Sequence, residues 1–217
     1  MSNKFLYIAD PMCSWCYGFS LELSKLLETL PGAQLDIVLG GLRAYNTEVM
    51  DDDTRQMILS HWQKVADVSG LPFDMTGMNK PGFIYNTEPA CRAVVTAKLL
   101  ADDGDAGDLL RVFRAIQHAF YAEAKDVTNE TVLAEICVEA LNQDGAGAYD
   151  IESYLETLQS PSTHDETRQH FEQIQRWGIR GYPVLCVVKE NGLHMIASGY
   201  TKLENLQQAL KDLEKSV

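Results

Sequence analysis

The sequence predicts an α/β protein in which a β-α-β unit and a later α-β-β-α unit build one sheet, interrupted by a long helical block. Three observations carry that prediction. Short apolar or alternating runs occur only near the two ends of the chain, in residues 4–9, 35–39, 184–188 and 193–197. Everything from about residue 48 to 157 repeats its apolar side chains at helical spacing instead. Two cysteines, Cys13 and Cys16, stand where the first run gives way to the first helical pattern.

Lys4-Phe5-Leu6-Tyr7-Ile8-Ala9 is an aromatic and apolar run ending at Asp10-Pro11, the pattern of a buried strand and a turn. From Trp15 onward Phe19, Leu23, Leu26, Leu27 and Leu30 recur at helical spacing until Pro31-Gly32 stops them, so Cys13 falls near a helix N-terminus. Leu35, Ile37 and Leu39 then alternate with Asp36 and Val38 as a second strand that ends at Gly40-Gly41.

Helices are expected over residues 54–69, 88–101, 109–124, 129–142 and 151–158. Surface loops are expected at Gly70-Leu71-Pro72, at Asn79-Lys80-Pro81-Gly82, over the acidic residues 102–108 and at Asp144-Gly145-Ala146-Gly147. After Ser160-Pro161, Thr163-His164-Asp165-Glu166 matches a capping box, Phe171, Ile174 and Trp177 form an apolar stripe, and Gly178 suits the helix end. Two final strands meet through Glu190-Asn191-Gly192, a hairpin signal. Thr201-Lys202-Leu203-Glu204 is a second capping box, opening a helix through Leu206, Leu210 and Leu213. The first two strands must run parallel, since a helix crosses between them, and the hairpin adds antiparallel strands. That order, with Cys-x-x-Cys at the first helix, is the thioredoxin pattern with an inserted helical domain. The expected boundaries are 1–47 with 161–217 for the thioredoxin-like domain and 48–160 for the insertion.

Composition narrows the function. With 217 residues, 46% hydrophobic and 23% charged, the chain is long enough for one sizeable core and polar enough to be soluble. A formal charge of −13 repels phosphates at long range, which argues against nucleic acid and anionic membranes as partners. The start of the chain carries only about five apolar residues before Asp10, too few for a secretory signal. No run reaches the ~18 apolar residues of a membrane span. The expectation is a cytoplasmic protein. Five cysteines at wide spacings after the first pair do not make a disulfide framework, so in a reducing compartment the close pair points to catalysis or metal.

A thiol attacks as its thiolate, which is a minor species for an ordinary cysteine with pKa about 8.5. A helix N-terminus offers unpaired N–H groups and the positive end of the macrodipole, so Cys13 at the entrance is the candidate nucleophile. Cys16, one turn further in and more covered, is the candidate resolving thiol. Ser14 and Trp15 between them carry no positive charge, which suggests a less oxidising pair than one containing histidine. Trp15 is read either as packing or as an apolar platform for substrate. Gly181-Tyr182-Pro183 is the second element: a proline opening a strand is a place where a cis bond is tolerated, and the Tyr182 backbone beside it could meet an extended peptide next to Cys13. Zinc is the rival for the pair, but no second Cys-x-x-Cys completes four ligands, and His164 and His170 miss the usual spacing. Cys91, Cys137 and Cys186 read as buried, inert thiols. His118 is a candidate substrate contact from the helical block, and the acidic loop lacks a calcium-site pattern.

These residues resemble the DsbA-like branch of the thioredoxin superfamily, and within it the cytoplasmic FrnE-like proteins described as protein-disulfide isomerases. The likeness lies in Asp10-Pro11-Met12-Cys13-Ser14-Trp15-Cys16-Tyr17-Gly18-Phe19, in Asn86-Thr87 through Ala90 and Arg92, in Phe120-Tyr121 to Asp126-Val127 with Val132-Leu133, and in Gly181-Tyr182-Pro183-Val184. It implies a thioredoxin fold with a helical insertion, thiol–disulfide exchange at Cys13 and Cys16, and a cis-proline loop at Pro183 facing them. The family's periplasmic members carry a signal peptide and Pro-His between the cysteines; this sequence has neither.

The expected function is a thiol–disulfide oxidoreductase or isomerase acting on protein or small-molecule disulfides. Its catalytic residues are Cys13 and Cys16, its substrate contacts Ser14, Trp15, Tyr182 and Pro183. It takes no metal and no cofactor beyond the redox-active disulfide, with glutathione as a possible co-substrate. Two other classes stay open: a glutathione-dependent transferase or isomerase similar to the kappa-class transferases and chromene-carboxylate isomerases, and a thioredoxin-like adaptor with the pair as redox sensor. Monomer and homodimer are equally compatible with the sequence.

Overall fold

The computed structural model describes residues 3–101, 106–143 and 149–215. Strand β1 (Lys4–Ala9) leads into helix α1 (Ser14–Glu28) and strand β2 (Gln34–Leu39). Helices α2 (Asp52–Ser69), α3 (Glu88–Leu100), α4 (Ala106–Tyr121), α5 (Glu130–Leu141) and α6 (Ile151–Leu158) follow, with a short 3-10 helix at Met75–Asn79. The chain closes with α7 (Pro161–Arg176), β3 (Val184–Lys189), β4 (Gly192–Ser198) and α8 (Leu203–Lys215). The sheet order is β2-β1-β3-β4, with β1 parallel to β2 and the β1–β3 and β3–β4 pairs antiparallel. This is the thioredoxin-like α/β architecture with helices inserted between β2 and α7.

Strand alternation sorts the core. Phe5, Tyr7 and Ala9 turn to one face of the sheet, where they join α1, α3, α4 and α5 in one continuous cluster. Leu6 and Ile8 turn to the other, with Val38, Val184, Cys186 and Ile174 of α7. An aromatic group made of Trp62, Phe73, Phe120 and Tyr121 packs the inserted helices onto Tyr17 of α1. Each fully buried ring contributes on the order of 1.5–3 kcal/mol, so the insertion is held to the first helix by apolar contact. Arg92 ties the inserted helices from within: it donates to Glu88 at 2.7 Å, Glu130 at 2.7 Å and the Leu158 carbonyl at 2.7 Å.

Several local expectations are corrected. The cap of α7 is Ser160, whose hydroxyl accepts from the Thr163 amide, with Pro161 in the first turn; the box three residues later lies inside the helix. Thr201 does not cap α8. Its hydroxyl donates to the Gly199 carbonyl, and the Leu203 amide is taken by Glu22 of α1 at 2.8 Å. Helix α4 begins at Ala106, inside the stretch expected as loop, and ends at Tyr121 rather than Ala124, whose φ of 52° breaks it. The remainder of the acidic loop, 102–105, and the expected loop at 144–147 lie outside the described residues. No helix among the described residues is long and apolar enough to cross a membrane.

Candidate active site

Cys13 is the N-cap residue of α1, with extended backbone, and its carbonyl accepts the first helical bond from the Tyr17 amide at 3.0 Å. Asp10 builds that entrance. Its carbonyl accepts the Cys13 amide at 3.0 Å and one carboxylate oxygen accepts the Met12 amide at 2.8 Å, a side-chain turn of the kind aspartate favours. No acidic residue occupies the first turn of α1 itself, but the buried Asp10 carboxylate at its entrance works against an anion on Cys16.

Cys16 is fully buried one turn deeper, and Cys13 retains 6% exposure. Cys13 is more covered than a nucleophile at a helix start was expected to be, because the Tyr182 carbonyl lies 3.9 Å from its sulfur. Burial first, then the hydrogen bond it gives Cys13 and the negative charge that Cys13 can carry, push the Cys16 thiol well above its ordinary value. Cys16 therefore keeps its proton, while Cys13 is the less deeply buried of the two. Both are free thiols, as are Cys91, Cys137 and Cys186.

Sequence reasoning named six site residues, and the fold gathers most of them. Ser14 opens α1, and Trp15 is half-buried with its ring 6.3 Å from that of Tyr200. The Tyr182–Pro183 bond is cis, Pro183 is buried, and the Tyr182 hydroxyl donates to the Gly40 carbonyl at 2.6 Å. Gly40 is required there: a Cβ on it would stand 2.5 Å from the Tyr182 ring. His118 is elsewhere, lining a groove of about 600 Å³ with Ser20, Pro72 and Arg114 and facing Glu123 at 3.5 Å.

The sequence did not disclose the polar floor. Asp10 is fully buried and its second oxygen accepts the Leu42 amide at 2.7 Å and the Cys91 thiol at 3.5 Å. Burial raises its carboxyl, and the bonds from Leu42, Met12, Thr87 and Cys91 oppose that rise. Cys91 is thus buried as expected, but it is also a donor to this floor. The hydroxyl of Tyr7 donates to the Cys16 carbonyl at 3.4 Å, and that of Tyr85 to the Met12 carbonyl. Burial, with the sulfurs second, keeps the phenol of Tyr7 far above its usual range; burial does the same for Tyr85. The only signal for this floor was Asp10-Pro11 at a strand end; the tyrosines looked like ordinary core. Asn86 and Thr87 anchor the loop after β2, accepting the Tyr45 amide at 2.9 Å and the Arg43 amide at 3.1 Å.

Two free cysteines at a helix mouth, with a cis-proline loop whose Tyr182 carbonyl lies over one of them, on a sheet of this order form a thioredoxin-like arrangement. Residues 7–211 match the DSBA-like thioredoxin domain, and the chain belongs to that family. It is similar over its whole length to a proposed protein disulfide isomerase from Nitrosomonas europaea, at 31% identity and a TM-score of 0.86, covering 100% of this chain and 99% of that one. The cytosolic disulfide reductase DsbM from Pseudomonas aeruginosa is similar at 22% identity and TM-score 0.75, with 99% and 100% covered. Its form with GSH gives 23% and 0.74, with 98% and 99% covered. A 2-hydroxychromene-2-carboxylate isomerase shares the fold at 15% identity, TM-score 0.68, with 98% and 97% covered. No curated protein sequence matches the chain.

Proposed function

We propose that this protein is a cytoplasmic thiol–disulfide oxidoreductase that works through Cys13 and Cys16 on protein or small-molecule disulfides. The Cys13 thiolate attacks a substrate sulfur, forming a mixed disulfide and expelling one substrate thiolate. Cys16 then gives up its proton and attacks the Cys13 sulfur; the second substrate thiolate leaves and takes up a proton, and the protein is left as the Cys13–Cys16 disulfide. Two external thiols, for which glutathione is the natural candidate, return the pair to the dithiol. If the mixed disulfide is instead attacked by another substrate thiol, the net result is isomerisation.

The observation that carries the reading is the asymmetry of the pair. Cys13 caps the helix beneath the Tyr182 carbonyl, while Cys16 is sealed one turn deeper with its proton held. Ser14, Trp15, Tyr182 and Pro183 are the substrate contacts of this reading, with the Tyr182 carbonyl 3.9 Å from the Cys13 sulfur and the Tyr182 backbone as the contact for an extended substrate. The likeness to a cytosolic reductase solved with GSH supports both the compartment and the reductant. Cys13→Ser should abolish glutathione-dependent reduction of a model disulfide, and Cys16→Ser should accumulate a mixed disulfide visible as a mass adduct on Cys13. Full turnover in Cys13→Ser would overturn the reading. A transferase with a single essential thiol predicts instead that Cys16→Ser stays active.

A further inference from the structure

A groove of about 600 Å³ lies where α1, the loop after α2 and α4 meet, and neither cysteine of the pair nor the cis-proline loop lines it. Leu71, Pro72 and Leu110 give it apolar walls. At its base are Tyr17 and Ser20 of α1, of which only 4% and 2% is exposed. The Ser20 hydroxyl donates to the Tyr17 carbonyl at 2.7 Å and the Tyr17 hydroxyl to the Pro72 carbonyl at 3.3 Å. Both are spent within the fold, so the donors that a ligand could meet come from α4.

Those donors are cationic. Arg111, Arg114 and His118 recur on one face of α4, and among the described residues no acidic side chain lines the groove. The sign is opposite to that of the chain, which carries 31 acidic residues against 18 lysines and arginines. Two of the three groups are engaged: Arg111 donates Nε to the Ala140 carbonyl at 2.8 Å, and His118 faces Glu123 at 3.5 Å. Arg114 has no carboxylate partner among the described residues. Its Nη1 donates to the Ser24 hydroxyl at 3.0 Å, and Ser24 donates in turn to the Ser20 carbonyl at 2.9 Å. That neutral anchor holds the guanidinium across to α1 and leaves the rest of its planar fork for an acceptor of matching shape, which a carboxylate is.

We propose that this groove binds a small organic anion, an apolar body carrying a single carboxylate, with the carboxylate on Arg114 and the body against Leu71, Pro72 and Leu110. Apolar walls with a few convergent polar groups, in a volume of this size, are the usual make-up of a small-molecule site. The net charge of −13 penalises a polyanion at long range far more than a single charge, and the apolar walls disfavour a bare inorganic ion. The site is separate from the thiol chemistry and does not depend on it.

The test is a titration of the full chain with 2-naphthoate and with its neutral counterpart 2-naphthamide, followed by the backbone amide shifts in 15N-labelled protein. Naphthoate should give saturable shifts at residues 110–118 and at Tyr17, and should bind about five- to tenfold more tightly than naphthamide. Arg114→Gln keeps a donor for Ser24 and drops the charge, so it should bring the two probes to within about twofold of each other by weakening naphthoate alone. Ala115 also lines the groove, and Ala115→Leu should weaken both probes by filling it. Equal affinities in the wild type, an unchanged preference in Arg114→Gln, or shifts confined to the other apolar groove, around Trp177 and Met195, would overturn the proposal. Cys13→Ser should bind naphthoate as the wild type does, so this result stands apart from the turnover that tests the function.

Discussion

His170 gives the stability of this fold a defined pH dependence. Its ring is buried in α7, and its Nδ1 accepts the Leu39 amide at 3.2 Å, which binds the helix to the end of β2. Burial first and Lys98 second hold its pKa down to about 4 from 6.5, against a smaller pull from Asp36; Glu166, at 3.9 Å from Nε2, is the remaining charged neighbour. In the unfolded chain the ring titrates near 6.5. Between pH 6.5 and 4 the unfolded state thus binds a proton that the folded state refuses. The stabilisation is complete above pH 6.5 and is lost as pH falls towards 4. A gap of about 2.5 units corresponds to about 3 kcal/mol in full, of which about 2 kcal/mol is gone at pH 5. His170→Asn keeps an acceptor for the Leu39 amide and does not titrate. Urea unfolding followed by circular dichroism from pH 7.5 to 5 should show the wild type losing about 2 kcal/mol more than the variant. Parallel curves for the two proteins would refute the reasoning.

Gly40→Ala should displace the Tyr182 ring, since the new Cβ falls 2.5 Å from it, and should lower reductase turnover together with about 1–3 kcal/mol of stability; wild-type turnover and melting would contradict this. Asp10→Asn puts an amino group where a carboxylate oxygen now accepts from Met12 or from Leu42 and Cys91, so chemical denaturation should show a loss of about 1–3 kcal/mol. Glu22→Ala removes the acceptor for the Leu203 amide, and hydrogen exchange should speed up in the first turn of α8 with about 1 kcal/mol lost.

Much of this protein could be read before any coordinates. The strands were legible because their apolar runs are short and end at Asp10-Pro11, Gly40-Gly41 and Glu190-Asn191-Gly192, and the helices because their periodicity is long. The caps were less so. Ser160 lay in plain view beside Pro161, yet the more complete motif at Thr163 competed with it. No local pattern could have named Glu22 as the cap of a helix 181 residues further on.

The cysteine pair shows the same division. Spacing alone put Cys13 at a helix entrance and Cys16 a turn within, because helical geometry is a local property of the chain. What lies under and over the two sulfurs came from folding: the Tyr182 carbonyl above, and Asp10, Tyr7 and Tyr85 beneath, drawn from segments far apart in sequence. Burial and the set of hydrogen-bond donors govern which sulfur keeps its proton. Both depend on which distant residues come to rest against a side chain, so the order of the elements could be written from the sequence, while the unequal character of the two thiols was decided by the packing around them.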